Sequence, residues 1–235
     1  MPAPDSRVLL LSPHPDDIAW SLGGTLARMR GNSAELHVLT FFTQTRYAPS
    51  HPANGDPREV SRVREEEERA WARENGVLLR RATLEDASLR GYDDDTEMGA
   101  EPAEDVVRQV AEHVRTTVSD VDPGLVLVPL AAGGHVDHAA VRLAAAELVP
   151  PARLAWYEDL PYATTDRPEL PPGCREVLVG VDAHRSAKEA GVMTFSSQEP
   201  AEVLPVLLAH MNAVGGERVW FSDPSTADRL RLLKG

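Results

Sequence analysis

A repeated switch of hydrophobic period limits the fold of this chain more than any other feature. Short apolar runs at 8–11, 35–43, 77–84 and 125–130 each give way to a polar turn or loop, then to a segment whose apolar residues recur at helical spacing. Such a run, bounded by turn residues, is a strand buried on both faces, and strands alternating with helices build a parallel sheet between helical layers. Further strands are predicted at 153–160, 176–181 and 217–222, and helices at 17–30, 61–75, 102–119, 139–148, 182–193 and 202–214. The expected fold class is α/β: a three-layer, Rossmann-like fold with a mainly parallel sheet. No repeat, linker or low-complexity stretch divides the chain, so a single domain over 1–235 is expected.

Open sheets of this kind carry their chemistry at the carboxyl ends of strands. Ser12-Pro13-His14-Pro15-Asp16-Asp17 stands at the end of the first run, and Gly133-Gly134-His135-Val136-Asp137-His138 follows the run at 125–130. Each opens a helix. An isolated Asp at a helix start is commonly an N-cap, and an isolated His a surface or hydrogen-bonded group. Two such clusters at the same kind of turn can instead converge at one sheet edge and supply nitrogen and oxygen ligands. Catalytic zinc takes three protein ligands of this kind and keeps one water position; His14, Asp17 and His138 would fill that role and leave Asp16 and His135 free. A water of lowered pKa with a carboxylate beside it is suited to amide hydrolysis.

These residues resemble a known family. The chain is similar to the PIG-L (LmbE-like) metal-dependent N-deacetylases, marked by a His-Pro-Asp-Asp turn, here His14 to Asp17, and a His-x-Asp-His turn, here His135 to His138. Arg64-Glu65-Glu66-Glu67 looks like the family's Arg-x-x-Glu helix, and Leu84-Glu85-Asp86 like the segment whose Asp binds substrate hydroxyls. Lys188 and Ser197-Gln198 look like its C-terminal Lys and Ser-Gln pair, so the likeness covers most of the chain. The resemblance implies an LmbE-like fold and zinc, with Fe2+ or another divalent ion as the alternative. It implies His14, Asp17 and His138 as ligands and Asp16 as general base. His135 would be the protonated partner of the leaving amine or the oxyanion, and Asp137 the group that orients it. Asp86 would bind substrate hydroxyls, and Arg64 would orient substrate hydroxyls or pair with a site carboxylate. Two positions depart from the family: Ile18 replaces a Glu that many members carry, and Gly133 a Tyr that some carry. Any contribution of that Tyr to the oxyanion must come from elsewhere or be absent.

The expected activity is hydrolysis of an N-acyl amide, most simply N-acetyl, on a small amino sugar, aminocyclitol or glycosylated metabolite. The alternatives are deacylation of a thiol conjugate or lipid-linked sugar, and sugar binding without turnover. G-x-S-x-G, H-E-x-x-H and the glycine-rich nucleotide motifs are absent, which removes the corresponding hydrolases and nucleotide folds. Other positions stay open. In the long stretch 44–60, Arg46, Tyr47 and His51 could reach a substrate, as could Tyr157 and Tyr162 by stacking on a sugar ring; Asp159 could hold a hydroxyl or back up a histidine. The acidic run Glu65–Glu68 reads as a solvated face, and the acids of Tyr92-Asp93-Asp94-Asp95 as a solvated loop. Gly23 and Gly24 inside the first helix suggest a close approach of helix to sheet.

With 24 basic against 37 acidic residues the formal charge is −13, and no basic patch interrupts it, so nucleic acid is not an expected partner. No apolar run reaches the roughly 18 residues of a membrane span, and the first residues lack the pattern of a signal peptide. One cysteine, Cys174, forms no internal disulfide and suits a reducing compartment. The expected location is the cytoplasm. The expected partner is a small N-acylated molecule, with homo-oligomerisation left open. Alanine and arginine richness, with Lys188 and Lys234 the only lysines, suggests a bacterial source of high GC content.

Overall fold

In the computed structural model, which describes residues 6–92, 98–166 and 169–223, strand β1 (Arg7–Ser12) is buried from both sides. Successive side chains of a strand point to opposite faces, so Val8 and Leu10 join one core and Leu9 and Leu11 the other. That double burial is why β1 is uniformly apolar. The remaining strands are β2 (Glu35–Gln44), β3 (Leu78–Glu85), β4 (Leu125–Pro129), β5 (Leu154–Tyr157), β6 (Arg175–Val179) and β7 (Glu217–Phe221). They form one sheet in the order β3-β2-β1-β4-β5-β7-β6. The first five pair in parallel, and β7 runs antiparallel to both of its neighbours. The mainly parallel α/β fold expected from the sequence is the one observed.

Two helical layers cover the sheet. Helix α1 (Asp17–Gly31), α2 (Pro57–Asn75), α5 (Arg185–Thr194) and α6 (Pro200–Val214) pack Leu22, Trp71, Val192 and Met211 into the core that holds Val8 and Leu10. On the other face α3 (Glu104–Val121) and α4 (Val136–Leu148) contribute Val110, Val114, Val141 and Ala144. The strand order reverses direction at β1 and β4, which lie side by side. The crevice beyond the carboxyl ends of two such strands is where open sheets bind ligands, and both motif turns emerge there.

Several boundaries and roles differ from the sequence reading. Helix α2 starts at Pro57, four residues before the expected Ser61, because Asp56 caps it: its side chain accepts from Arg58 N at 3.0 Å and Glu59 N at 3.2 Å. Proline at the first helical position suits this start. The acidic run is not one solvated face. Helical periodicity turns Glu67 and Glu68 inward, and Glu68 is fully buried against Thr40 Oγ1 and Arg81 Nε. Helix α6 starts two residues early at Pro200 and continues through Pro205. Asp93, Asp94 and Asp95 lie outside the described residues.

Gly23 and Gly24 permit a close approach, but to α5 and the turn before it, not to the sheet. A Cβ on Gly23 would lie 3.3 Å from Lys188 Cα, and one on Gly24 only 2.7 Å from Val181 Cβ. Helix α1 is also kinked at Leu22 (φ −128°, ψ 17°). The backbone groups around the kink are served from outside the helix. Lys188 Nζ donates to Trp20 O and to Glu217 Oε1, both at 2.7 Å, while Glu217 accepts from Gly24 N at 3.1 Å and Thr25 N at 2.7 Å. Among the described residues no helix is long and apolar enough to cross a membrane.

Candidate active site

The turn after β1 folds back on itself before α1 begins. His14 N donates to Asp17 Oδ2 at 2.7 Å, and Ser12 Oγ donates to His14 O at 2.6 Å. Asp16 stands at the N-cap of α1 yet makes no side-chain cap bond. Its Oδ1 accepts instead from Arg64 Nη2 at 2.6 Å, a buried contact from α2. Asp16 is therefore held for something other than capping.

The second turn brings His138, in the first turn of α4, against the same spot. His138 Nε2 lies 3.5 Å from Asp17 Oδ2, and His14 Nδ1 lies 3.4 Å from that same oxygen. Ligand atoms at corners of a tetrahedron with bonds of ~2.0–2.1 Å stand about 3.3 Å apart, so the three fit one cation. The donor roles agree. A carboxylate accepts, so His14 Nε2 donates to Asp137 Oδ2 at 2.9 Å and His138 Nδ1 to Asp159 Oδ1 at 2.6 Å. Each ring is left with one lone pair, and both lone pairs face Asp17. His138 Nε2 is buried and has no hydrogen-bond partner among the described residues, the condition of an atom whose natural partner is a metal. A divalent ion fits this set. His14, His135 and Asp137 form a second, overlapping group; there Asp137 is already engaged by His14, by Arg90 Nη2 at 2.6 Å and by Ala87 N at 3.0 Å.

Charges follow from these contacts. Burial and the nearby His14 and His138 rings push His135 down to about 3. Its Nδ1 accepts from Asp137 N at 3.2 Å, so the neutral ring carries its proton on Nε2. His135 thus stands neutral here, with its Nε2–H the proton it can present. The role given to Asp137 is corrected: only its backbone N–H meets His135, and its carboxylate serves His14. Burial opposes charge on His14, but the hydrogen bond to Asp137 and the contacts with Asp17 outweigh it and raise the ring to about 10, so the lone pair on Nδ1 becomes available to a cation by displacement of the proton that faces Asp17. Burial of Asp17 is likewise outweighed, by His138 and His14, which hold it at about 2.

His14, Asp16, Asp17, His135 and Asp137 line a cavity of about 520 Å³. Arg64 and Asp86 line it, with Asp86 accepting from Ser88 Oγ at 2.6 Å. Tyr47 and Arg46 line it too, whereas His51 does not, its Nδ1 accepting from Ala53 N at 3.2 Å. Tyr162 lines the wall over the second turn, its ring 5.4 Å from that of His138 and 5.9 Å from that of His135. Gly133 makes room for it. A Cβ there would meet Tyr162 Cβ at 2.9 Å, and its φ of +73° also favours glycine. Tyr157 is a core residue that donates to Leu11 O at 3.0 Å. Asp159, left open between a hydroxyl and a histidine, supports His138 and accepts from Ala132 N at 3.2 Å.

Two lining or supporting groups escaped the sequence reading. Arg90, which holds Asp137 and lies 5.1 Å over the Phe42 ring, carries no motif signal. Trp20 lines the cavity with a buried indole N–H that has no partner among the described residues, and at helical spacing it reads as a core residue.

The sequence profile of the family described as GlcNAc-PI de-N-acetylase, PIG-L, matches residues 9–149, a span with both motif turns. The chain is 39% identical over 217 residues to a 2'-N-acetylparomamine deacetylase of Streptomyces fradiae, covering 90% of this chain and 73% of that protein. Its fold matches that of a deacetylase of teicoplanin biosynthesis in complex with teicoplanin, with a TM-score of 0.76, 27% identity and coverage of 91% and 97%. It also matches an A40926 pseudoaglycone deacetylase, with a TM-score of 0.71, 29% identity and coverage of 92% and 96%. With a profile match over more than half its length and a relative at this identity along nearly all of it, the chain belongs to the PIG-L family.

Proposed function

We propose that this chain is a metal-dependent N-deacetylase that hydrolyses the acetamide of a small amino sugar, aminocyclitol or glycosylated metabolite. The observation that carries the reading is the convergence of two oriented imidazole lone pairs and one carboxylate oxygen beside a carboxylate that neither caps a helix nor joins the cluster. His14, Asp17 and His138 would hold the ion; two imidazoles and one carboxylate suit zinc and also accept ferrous iron. Bound there, a divalent ion polarises the acyl carbonyl and makes a neighbouring water easier to deprotonate.

The chain's own groups do the rest. Asp16 takes a proton from the attacking water as the C–O bond forms. Arg64, on its Oδ1, orients it. The neutral His135 donates its Nε2 proton in a hydrogen bond to the oxyanion, and Tyr162, beside it, forms the wall where some relatives carry a Tyr at the position of Gly133. Asp16 returns its proton to the nitrogen as the C–N bond breaks, so acetate and the free amine leave. Asp86, Arg64 and Tyr47 line the space for the sugar hydroxyls and ring. Residues from β1 through the turn after α5 reach the site, so the reading takes 1–235 as a single catalytic domain. The similarity to a 2'-N-acetylparomamine deacetylase and to a deacetylase in complex with teicoplanin supports an amino-sugar substrate. One cysteine and no long apolar helix among the described residues fit work in the cytoplasm.

The test is release of free amine from a panel of N-acetyl amino sugars and N-acetylated aminocyclitol glycosides. Turnover should vanish on chelation, return with added zinc, and fall by about 10²–10⁴-fold in Asp16→Ala. Turnover that survives both treatments overturns the reading.

A further inference from the structure

Glu199, in the turn between α5 and α6, is used neither by the proposed chemistry nor by the packing. It lines the site cavity next to Gln198. Its backbone sits at φ 54°, ψ 45°, the left-handed region that residues with a Cβ avoid, and the proline that follows narrows its choices further. Strain of this kind persists where the surroundings impose it, and it gathers at binding sites. Glu199 closes the short 3-10 turn Ser196–Gln198 and its carbonyl starts α6, a place where a left-handed residue is usual but is most often glycine, and its side chain makes no cap bond. The two residues before it are pinned. Ser197 N and Oγ donate to Glu67 at 2.8 and 2.7 Å, Ser50 N to Ser197 O at 3.2 Å, and Gln198 Nε2 to Tyr47 O at 3.3 Å.

The other carboxylates of the cavity are engaged. Asp16 has Arg64, Asp17 has His14, Asp137 has His14 and Arg90, and Asp86 has Ser88. Among the described residues the Glu199 carboxylate accepts no hydrogen bond and pairs with no cation. We infer that Glu199 is a specificity residue whose carboxylate receives a free ammonium group of the substrate, on a carbon other than the one bearing the acetamide. The inference rests on the amino-sugar reading for the kind of molecule that enters. An acetamide is neutral and an amine is a cation near pH 7, so this contact separates substrates with further free amines from otherwise similar polyols. The net charge of −13 acts in the same direction by drawing cations toward the protein.

The test measures binding without turnover, so its outcome is independent of the amine-release assay. A 1,3-diaminocyclitol and neutral myo-inositol are titrated calorimetrically into wild-type protein, Glu199→Gln and, as a control one turn along α6, the exposed Glu202→Gln. Glu199→Gln should weaken diamine binding about tenfold, less so in high salt, and Glu202→Gln should not. Equal diamine affinity in wild type and Glu199→Gln, an equal loss for inositol, or no diamine binding by the wild type overturns the assignment. Glu199→Gly removes carboxylate and strain together. Its Tm should rise by about 2–4 °C while its diamine affinity falls; a fall in Tm would make Glu199 a structural residue and overturn the inference as well.

Discussion

His14 and His138 are chemically the same side chain, yet they turn different ring nitrogens toward Asp17, Nδ1 from one and Nε2 from the other. The choice belongs to the carboxylates behind them, Asp137 and Asp159, which take the opposite N–H of each ring. Asp159→Asn should therefore lower metal affinity about 10–100-fold while leaving the fold intact, as read by competition with a chromogenic chelator; an unchanged affinity would remove Asp159 from the site. Glu68 makes a second residue-scale case. Burial pushes its carboxyl up to about 7 against the attraction of Arg81. A carboxyl raised on folding favours the protonated folded state, so its stabilising contribution is full below the unfolded value near 4.5 and fades as pH rises through 7. Wild type should lose a few kcal/mol of stability relative to Glu68→Gln between pH 4.5 and 8, measured by urea unfolding across that range. Parallel pH profiles for the two proteins would show that Glu68 does not titrate there.

At the scale of elements, α1 carries the site and depends on α5 to hold its shape. The kink at Leu22 takes Trp20 O and the N–H groups of Gly24 and Thr25 out of the usual helical pattern, and the buried pair Lys188–Glu217 binds all three. Removing one partner of such a pair leaves a buried charge alone. Lys188→Met should cost about 3–5 kcal/mol in denaturant unfolding, and Lys188→Met with Glu217→Gln should recover part of that loss. A cost below about 1 kcal/mol for the single variant would show that the kink does not need the pair. Helix α2 has a similar double duty: Arg64 fixes Asp16, and Glu67, close to one turn later, anchors Ser197 in the turn that lines the cavity. Two positions three apart lie on one helix face, so a single helix ties Asp16 to the cavity wall.

Over the whole molecule, a metal bound at the proposed site would be linked to folding. A ligand bound only by the folded state adds about 4 kcal/mol when present at a thousand times its Kd. For a chain of 235 residues chelation should lower Tm by roughly 10 °C, reversed by zinc in a thermal-melt assay. A melt indifferent to chelator would sink the metal reading. Much of this was legible from residues alone. The continuous apolar runs marked strands buried on both faces, and Asp16, Asp17 and His138 at strand-to-helix turns indicated which sheet edge mattered. Not legible were Arg90, the true partner of the Asp137 carboxylate, the inward turn of Glu68 and the strained Glu199. By itself the sequence determined the α/β class and the donor types at the site, because period and residue chemistry are local properties of a chain. Only the tertiary structure decided which imidazole nitrogen faces the cluster, which carboxylate supports which ring and which acid stays unpaired. Those outcomes depend on distances across strand crossovers, and sequence separation does not encode them.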